Sequence, residues 1–292
     1  MRTNVLFATD GRPAAAAAGE LLRRLLDPGR VRVTILHADE FGNRLVADRY
    51  AAWVLDEAQE AMREAGIDAT TLRLHEGPVA SIEKVLAEDE HALTVLGAGN
   101  HSWLRGLVFG SVSTHLLHHA EAPVLVVHRA PIPAHGKLRV LVGVDGSPSV
   151  AAAASLLTTI TAPARVDIQL CSVIEPAVLS VAAHPGASMS PSLLDDLFTE
   201  RQEAAARDLT QMQARLDAGG FEARTTTVEG PVALALLDEV ERLDAGLVVL
   251  GARGLGPIGR LTVGSVSAHV ARHAPAALVA HAEDRIGRET EE

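Results

Sequence analysis

Gly251-Ala252-Arg253-Gly254, nine further residues and then Gly264-Ser265 form the stretch on which the fold turns. The stretch follows an apolar run, Leu247 to Leu250, and opens onto a helical pattern, so it spans a strand-to-helix turn. Gly251 carries no Cβ, which would let a sugar or phosphate approach the main chain, and Gly254 can take a positive φ in the turn that follows. Beyond it, the free amides of a helix start, the helix dipole and the hydroxyls of Ser265 and Ser267 all favour an anion, with Val266 contributing its amide between them. Arg253 and Arg260 add positive charge. The stretch reads as a phosphate cradle.

An altered copy lies in the first half: Gly97-Ala98-Gly99-Asn100, nine residues, then Gly110-Ser111-Val112-Ser113. Two more matches fall in the same order. Val5 to Pro13, containing Asp10-Gly11, returns as Val140 to Pro148, containing Asp145-Gly146, and Glu76 to Ala80 returns as Glu229 to Ala233. Ordered repetition of this kind marks a duplicated unit. The offset between copies grows from 135 at the aspartates to 154 at the Gly-Ser pairs, which predicts an insertion in Glu175 to Pro191. Arg129 to Gly136 has the composition of a linker, giving expected units of 1–130, with the altered loop, and 137–284, with the intact one.

Composition bounds the function. The 292 residues carry a net charge of -11, which disfavours nonspecific binding to nucleic acid or an anionic membrane. Cys171 is the sole cysteine, so no internal disulfide framework exists and a reducing, cytoplasmic setting is expected. The first ten residues lack the pattern of a signal peptide, and no apolar run is long enough to span a bilayer. At 3% aromatic residues, the cores must be aliphatic.

In each half, short β-branched runs alternate with longer helical patterns. Strands are expected at Val5–Thr9, Val31–His37, Thr70–His75, Leu93–Leu96 and Val124–His128, and in the second half near Val140, Val166, Ala223, Leu247 and Leu278. Helices are expected at Ala14–Leu26, Leu45–Ala65, Val79–Glu88 and Val112–His119, with counterparts near Val150, Leu193, Val232 and Val266. Near-continuous apolar strands joined by helices imply an α/β fold of parallel sheets covered on both faces. Ligands of such sheets sit beyond the carboxyl ends of the strands, where both aspartates and both glycine loops fall.

Several tempting motifs carry less. Gly254-Leu-Gly256-Pro-Ile-Gly259 matches a dinucleotide fingerprint by spacing, yet it follows a fourth strand, contains proline and does not open a helix; no P-loop is present. Asp10 and Asp145 each precede a glycine, where an Asx turn or ligand positioning is the plainer role than a general base. His115 with His119, and His269 with His273, stand at i, i+4 without a third ligand at a recognised spacing, so no metal site and no catalytic residue is assigned. Cys171 reads as a buried thiol.

Strand-Asp-Gly-Ser followed by G-x-x-G, nine residues and G-Ser, on a unit of about 140 residues, resembles the universal stress protein family, here as two tandem copies. The resemblance implies two open five-stranded parallel sheets of order 3-2-1-4-5 with helices on both faces, packed as a pseudo-dimer through their last strands. It also implies ATP, with Mg²⁺ as an accompanying ion. Asp145 and Gly146 would border the adenosine and the main chain at Ser172 would meet adenine, while Gly251, Arg253, Gly254, Gly264, Ser265, Val266 and Ser267 would line ribose and phosphates. The first-half equivalents would be Asp10, Gly11, Ala38, Gly97, Gly110, Ser111, Val112 and Ser113.

The first loop departs from the pattern, with Gly99 for Arg253 and Asn100 for Gly254; Trp103 also enters it, expected to cover the sheet rather than stack on a base. The expected function is an ATP-binding stress-response regulator acting through conformation or an unknown protein partner, with a homodimer of the tandem chain allowed. The alternatives are a slow ATP hydrolase or nucleotidyl-transfer enzyme on the same sheet, and an interaction scaffold that binds no nucleotide.

Overall fold

In the computed structural model, residues 2–39, 44–99, 110–120, 122–130, 136–176, 191–253 and 263–281 are described. The first half runs β1 (Thr3–Ala8), α1 (Pro13–Leu25), β2 (Val31–Ala38), α2 (Arg44–Glu64), β3 (Asp68–Leu74), α3 (Pro78–Glu88), β4 (Leu93–Gly97), α4 (Ser111–His119) and β5 (Val124–Val127). The second runs β6 (Leu138–Gly143), α5 (Pro148–Ile160), β7 (Val166–Ile174), α6 (Pro191–Ala218), β8 (Ala223–Glu229), α7 (Val232–Leu243), β9 (Leu247–Gly251), α8 (Ser265–His273) and β10 (Ala276–Ala280). Helices α1, α3 and α5 each have proline in the first turn, where the missing N–H costs no helical bond.

Each half has the strand order 3-2-1-4-5, and the two sheets are joined edge to edge into one ten-stranded sheet, β3-β2-β1-β4-β5-β10-β9-β6-β7-β8. Every pairing is parallel except β5 with β10, where Val124 to Val127 run antiparallel to Ala276 to Val279. The tandem thus forms a pseudo-dimer through its last strands. On the α1 and α5 side the seam is also tied by the Asp27 N–H to the Ile160 carbonyl (2.8 Å), Arg30 to the Thr158 carbonyl (2.9 Å) and Arg165 to the Arg23 carbonyl (3.1 Å).

The strands alternate strictly, and the two faces of the sheet differ. Val5 and Phe7, with α1, α2, α5 and α6, join one continuous apolar core that crosses both halves. Leu6 and its neighbours face α3 and α4, and Leu141 faces α7 and α8, in separate clusters. A fourth cluster bridges the seam, bringing Leu117 of α4 together with Ala252, Val263, Ala268, Ala271, Ala277 and Val279.

The insertion in the second half is longer than the stretch after β7 alone. The offset is still 135 at β7, where Leu138 pairs with Val166 as Thr3 pairs with Val31. It is 154 by Gln213, whose side chain donates to the Ala223 carbonyl as Gln59 donates to that of Ala69. Helix α6 has 28 residues against 21 in α2, so extra helix takes up part of the difference.

Candidate functional site

The loops after β1 and β6 are built alike. Asp10 Oδ1 accepts the Arg12 N–H (3.0 Å) and Asp145 Oδ1 accepts the Ser147 N–H (2.9 Å), closing Asx turns around Gly11 (φ +72°) and Gly146 (φ +74°). Both glycines hold a left-handed conformation, and both are roofed by the helix after the second strand of their half, α2 and α6. A Cβ on Gly11 would meet Val54 and the Tyr50 hydroxyl, and one on Gly146 would meet the Asp208 carboxylate. Ser147 goes on to cap α5 by accepting the Val150 N–H (3.4 Å).

Across the switch point, between β6 and β9, stands the start of α8. Gly264 is its N-cap, donating to the Ala252 carbonyl (2.7 Å) and accepting from Ala268 (2.9 Å), with no side chain capping the helix. The amides of Ser265, Val266 and Ser267 belong to the first turn, where no intrahelical acceptor exists. Ser265 is exposed and Val266 partly so, so this donor-rich end of the helix opens to solvent. Its first-half counterpart at Gly110 is also uncapped, with Ser111 exposed.

Three of the expected roles change in the structure. A Cβ on Gly251 would fall 2.7 Å from Ser149 Cβ and 2.8 Å from the Val150 nitrogen, and one on Gly97 would overlap the Ala14 and Ala15 main chain. These glycines let a helix pack against the strand end, and the space left by the missing Cβ is already filled by protein. Ser267 is buried, and its hydroxyl donates to the Gly251 carbonyl (2.7 Å), tying the start of α8 to the end of β9. Ser113 is buried as well, but its Oγ has no hydrogen-bond partner.

The third change concerns Ser172. It lies inside β7 rather than after it, buried and paired with Thr227. The Thr9 N–H donates to the Leu36 carbonyl as the Val144 N–H donates to that of Cys171. Ser172 is therefore equivalent to His37, and Ala38 to Val173, shifting the expected match by one residue. His37 is buried and hydrogen-bonded through Nδ1 to the Thr9 carbonyl (2.9 Å).

The structure brings Asp145, Gly146, Gly251, Gly264, Ser265, Val266 and Ser267 to the carboxyl edge of one half, and Asp10, Gly11, Gly97, Gly110, Ser111, Val112 and Ser113 to that of the other. Arg253 follows β9 with its charge beside His281, which helps burial to hold that imidazole below its usual range. Gly254, Asn100, Trp103 and Arg260 lie outside the described residues.

Two residues near the loops carried no signal in the motif pattern. Tyr50 donates to the Asp10 carbonyl (2.9 Å), and Asp208 stands against Gly146 as Val54, its counterpart in helix register, stands against Gly11. Burial raises the Asp39 carboxyl, but hydrogen bonds from Arg73 and His75 outweigh that and hold it below its usual range, pinning the ends of β2 and β3.

The remaining titratable groups have structural settings. Cys171 is fully buried and its thiol is pushed up to about 12, chiefly by burial, which keeps it protonated and unreactive. The His115 and His119 rings lie 4.7 Å apart, with His115 bonded to Glu83 (2.8 Å), and the His269 and His273 rings stack at 4.4 Å. Among the described residues, no three His, Cys, Asp or Glu side chains converge as metal ligands, and no helix is long and apolar enough to cross a membrane.

Comparison with known proteins agrees with this architecture. The universal stress protein family model matches residues 1–128 and again 138–280. The chain is similar to the universal stress protein Rv2623 of Mycobacterium tuberculosis, 27% identical over 297 residues that cover 92% of each chain. It is 30% identical over 241 residues to the universal stress protein Mb2028c of Mycobacterium bovis, covering 78% of this chain and 72% of that one. A universal stress protein from Archaeoglobus fulgidus shares the fold, with a TM-score of 0.64 at 21% identity over 96% of this chain and 98% of that one. A duplicated sheet of order 3-2-1-4-5 and two successive matches to one family lead to one conclusion: the chain belongs to the universal stress protein family, as a tandem member.

Proposed function

We propose that this chain is a nucleotide-binding stress-response regulator that holds ATP in its second half. The observation that carries this is the uncapped start of α8, where Ser265 and Val266 stand at a solvent-open edge at the sheet's switch point, across from the Asp145-Gly146 turn. An anion placed there gains several charge-assisted hydrogen bonds and the positive end of the helix dipole. The adenosine lies toward Asp145, Gly146 and the β7 main chain near Ser172, the phosphates toward Gly254, Gly264 and Ser265, with Arg253 adding positive charge. Gly251 and Ser267 shape this cradle from behind.

Units 1–130 and 137–284 then differ in occupancy. The first, with Asp10, Gly11, Gly97, Gly110 and Ser111, keeps the helix start but has Gly99 where the second has Arg253, so it holds nucleotide more weakly. Mg²⁺ enters with the phosphates, whose oxygens supply part of its coordination. The nucleotide is held rather than consumed, with Asp145 Oδ1 closing an Asx turn that positions the loop. The tandem chain acts in the cytoplasm, self-associates as a homodimer and passes its nucleotide state to a protein partner.

Gly264→Val tests the site. The Cβ position of Gly264 meets only the Ala252 carbonyl oxygen at 3.4 Å and the Arg253 Cα at 3.9 Å, so the variant should fold. Its branched side chain narrows the approach to the helix start, and calorimetric ATP affinity should fall at least tenfold, about 1.4 kcal/mol. Unchanged affinity in the folded variant would remove the phosphates from this helix.

A further inference from the structure

The chain has only one tyrosine and two tryptophans. The tyrosine and one tryptophan stand half-exposed on the same face of α2. Tyr50 is 43% and Trp53 53% exposed, and Leu45 and Val46, just before them, are each 64% exposed. Val46, Tyr50 and Trp53 fall at i, i+4 and i+7, so they form one stripe along the helix. Among the described residues, four of the five exposed large hydrophobic side chains lie here.

Apart from the Tyr50 hydroxyl, which bonds the Asp10 carbonyl, the fold does not demand this stripe. The matched glutamines, Gln59 and Gln213, fix the offset between α2 and α6 at 154. The α6 residues at the same four positions are Thr199, Glu200, Ala204 and Arg207, a polar surface on an equivalent helix. The other half of α2 is equally occupied with packing: Ala51, Val54, Leu55 and Met62 are buried against the sheet and α1. The exposed stripe is therefore surplus to the core.

On the homodimer reading above, we propose that the contact is α2 against α2 of the second copy, antiparallel across a twofold axis. The helix is self-complementary in that sense. Its exposed N-terminal half is apolar with Arg49 alongside, and its exposed C-terminal half begins with Asp56 and Glu57. An antiparallel pair centred between Tyr50 and Trp53 sets Tyr50 of one copy against Trp53 of the other and brings Arg49 within a turn of Asp56 and Glu57 of the other, at both ends of the contact. Trp, Tyr and Arg are also the side chains that dominate binding at protein interfaces. The edge of β5 is already used inside the chain, where it meets β10.

From these exposures, the stripe amounts to roughly 400 Å² per copy, given side chains of order 150–250 Å². With its charged rim, the pair reaches about 1,000 Å² in total, the lower end of specific interfaces. The dimer should therefore be reversible and dissociate on dilution.

Sedimentation of the intact chain from about 1 to 200 µM, a range suited to an interface at this lower limit, reads the equilibrium directly. The average mass is expected to rise with concentration from 30.7 kDa toward twice that value. Trp53→Glu should weaken the dimer at least tenfold, with a thermal midpoint unchanged at concentrations where the parent is monomeric, since that side chain is outside the core. Arg49→Glu should weaken it too, and Arg49→Glu combined with Glu57→Arg should restore it. A chain that stays monomeric throughout, or a dimer that Trp53→Glu leaves intact, overturns the proposal. Failure of the charge exchange to restore the dimer overturns the antiparallel pairing.

Discussion

At Gly251 and Gly264, two glycines of one loop do different work. The Cβ position of Gly251 is filled by α5, with contacts under 3 Å to Ser149 and Val150, whereas that of Gly264 has ordinary contacts only. Gly251→Ala must push α5 away from β9 and should cost about 1 to 3 kcal/mol, the range of overpacking in a closed interior. Gly264→Ala should shift the urea midpoint little, because its φ of -64° suits any residue. Parallel denaturation curves of the two variants check the contrast. The spacing of these glycines was plain in the sequence, but their division of labour was not. A one-dimensional motif records that a side chain is missing, while only the packed helix shows whether protein or ligand occupies the space. The same limit explains the misplaced match of Ala38 to Ser172, since strand register is fixed by hydrogen bonds such as Val144 to Cys171 rather than by the apolar pattern.

Helices α4 and α8 carry nearly the same sequence at their starts yet are fastened differently. Ser267 bonds the Gly251 carbonyl, and Ser113, its counterpart, is buried without a partner. Ser267→Ala leaves that carbonyl without its donor and should cost about 1 kcal/mol or more, while Ser113→Ala removes a hydroxyl that is itself unsatisfied and should be neutral or mildly stabilising. Thermal melts of the two alanine variants, compared with the parent chain, measure the difference. Elements themselves were legible almost throughout, because alternating strands and 3.6-residue helices leave strong periodic traces. The boundaries of β1 and α1 were off by one or two residues, where the chain turns through Asx and proline geometry. Helix α6 was placed within two residues of its start at Pro191, but its extra length over α2 falls just past Glu175 to Pro191, the stretch expected to hold the insertion.

For the molecule as a whole, the seam between halves gathers histidines and arginines. Burial, together with Arg272 and His119, holds His118 below its ordinary value. Burial also lowers His128, opposed by its bond to the Ala271 carbonyl and aided by His273 and Arg129. An imidazole that resists protonation in the folded state means that the unfolded chain binds more protons as the pH falls below 6.5. Stability should be full above that value and decline between it and the lowered folded value. Urea titrations at pH 7.5, 6.5 and 5.5, values bracketing the ordinary imidazole pKa, should show this decline. The slope should flatten in His128→Gln, which retains a donor for Ala271 but cannot charge. A pH-independent midpoint across that range would mean that the seam carries no such linkage.

The antiparallel contact between β5 and β10 also sets a condition on biosynthesis. Val124 to Val127 emerge from the ribosome about 150 residues before Ala276 to Val279, the segment that covers their outer edge. At ordinary translation rates of about 5–20 residues per second, the first half waits roughly 8 to 30 s with an apolar strand edge unpaired. Such an edge is a template for pairing with any other extended chain. Nascent chains on the same message each present this edge before they can close it themselves, so crowding of ribosomes and slow codons in the second half become hazards for this architecture.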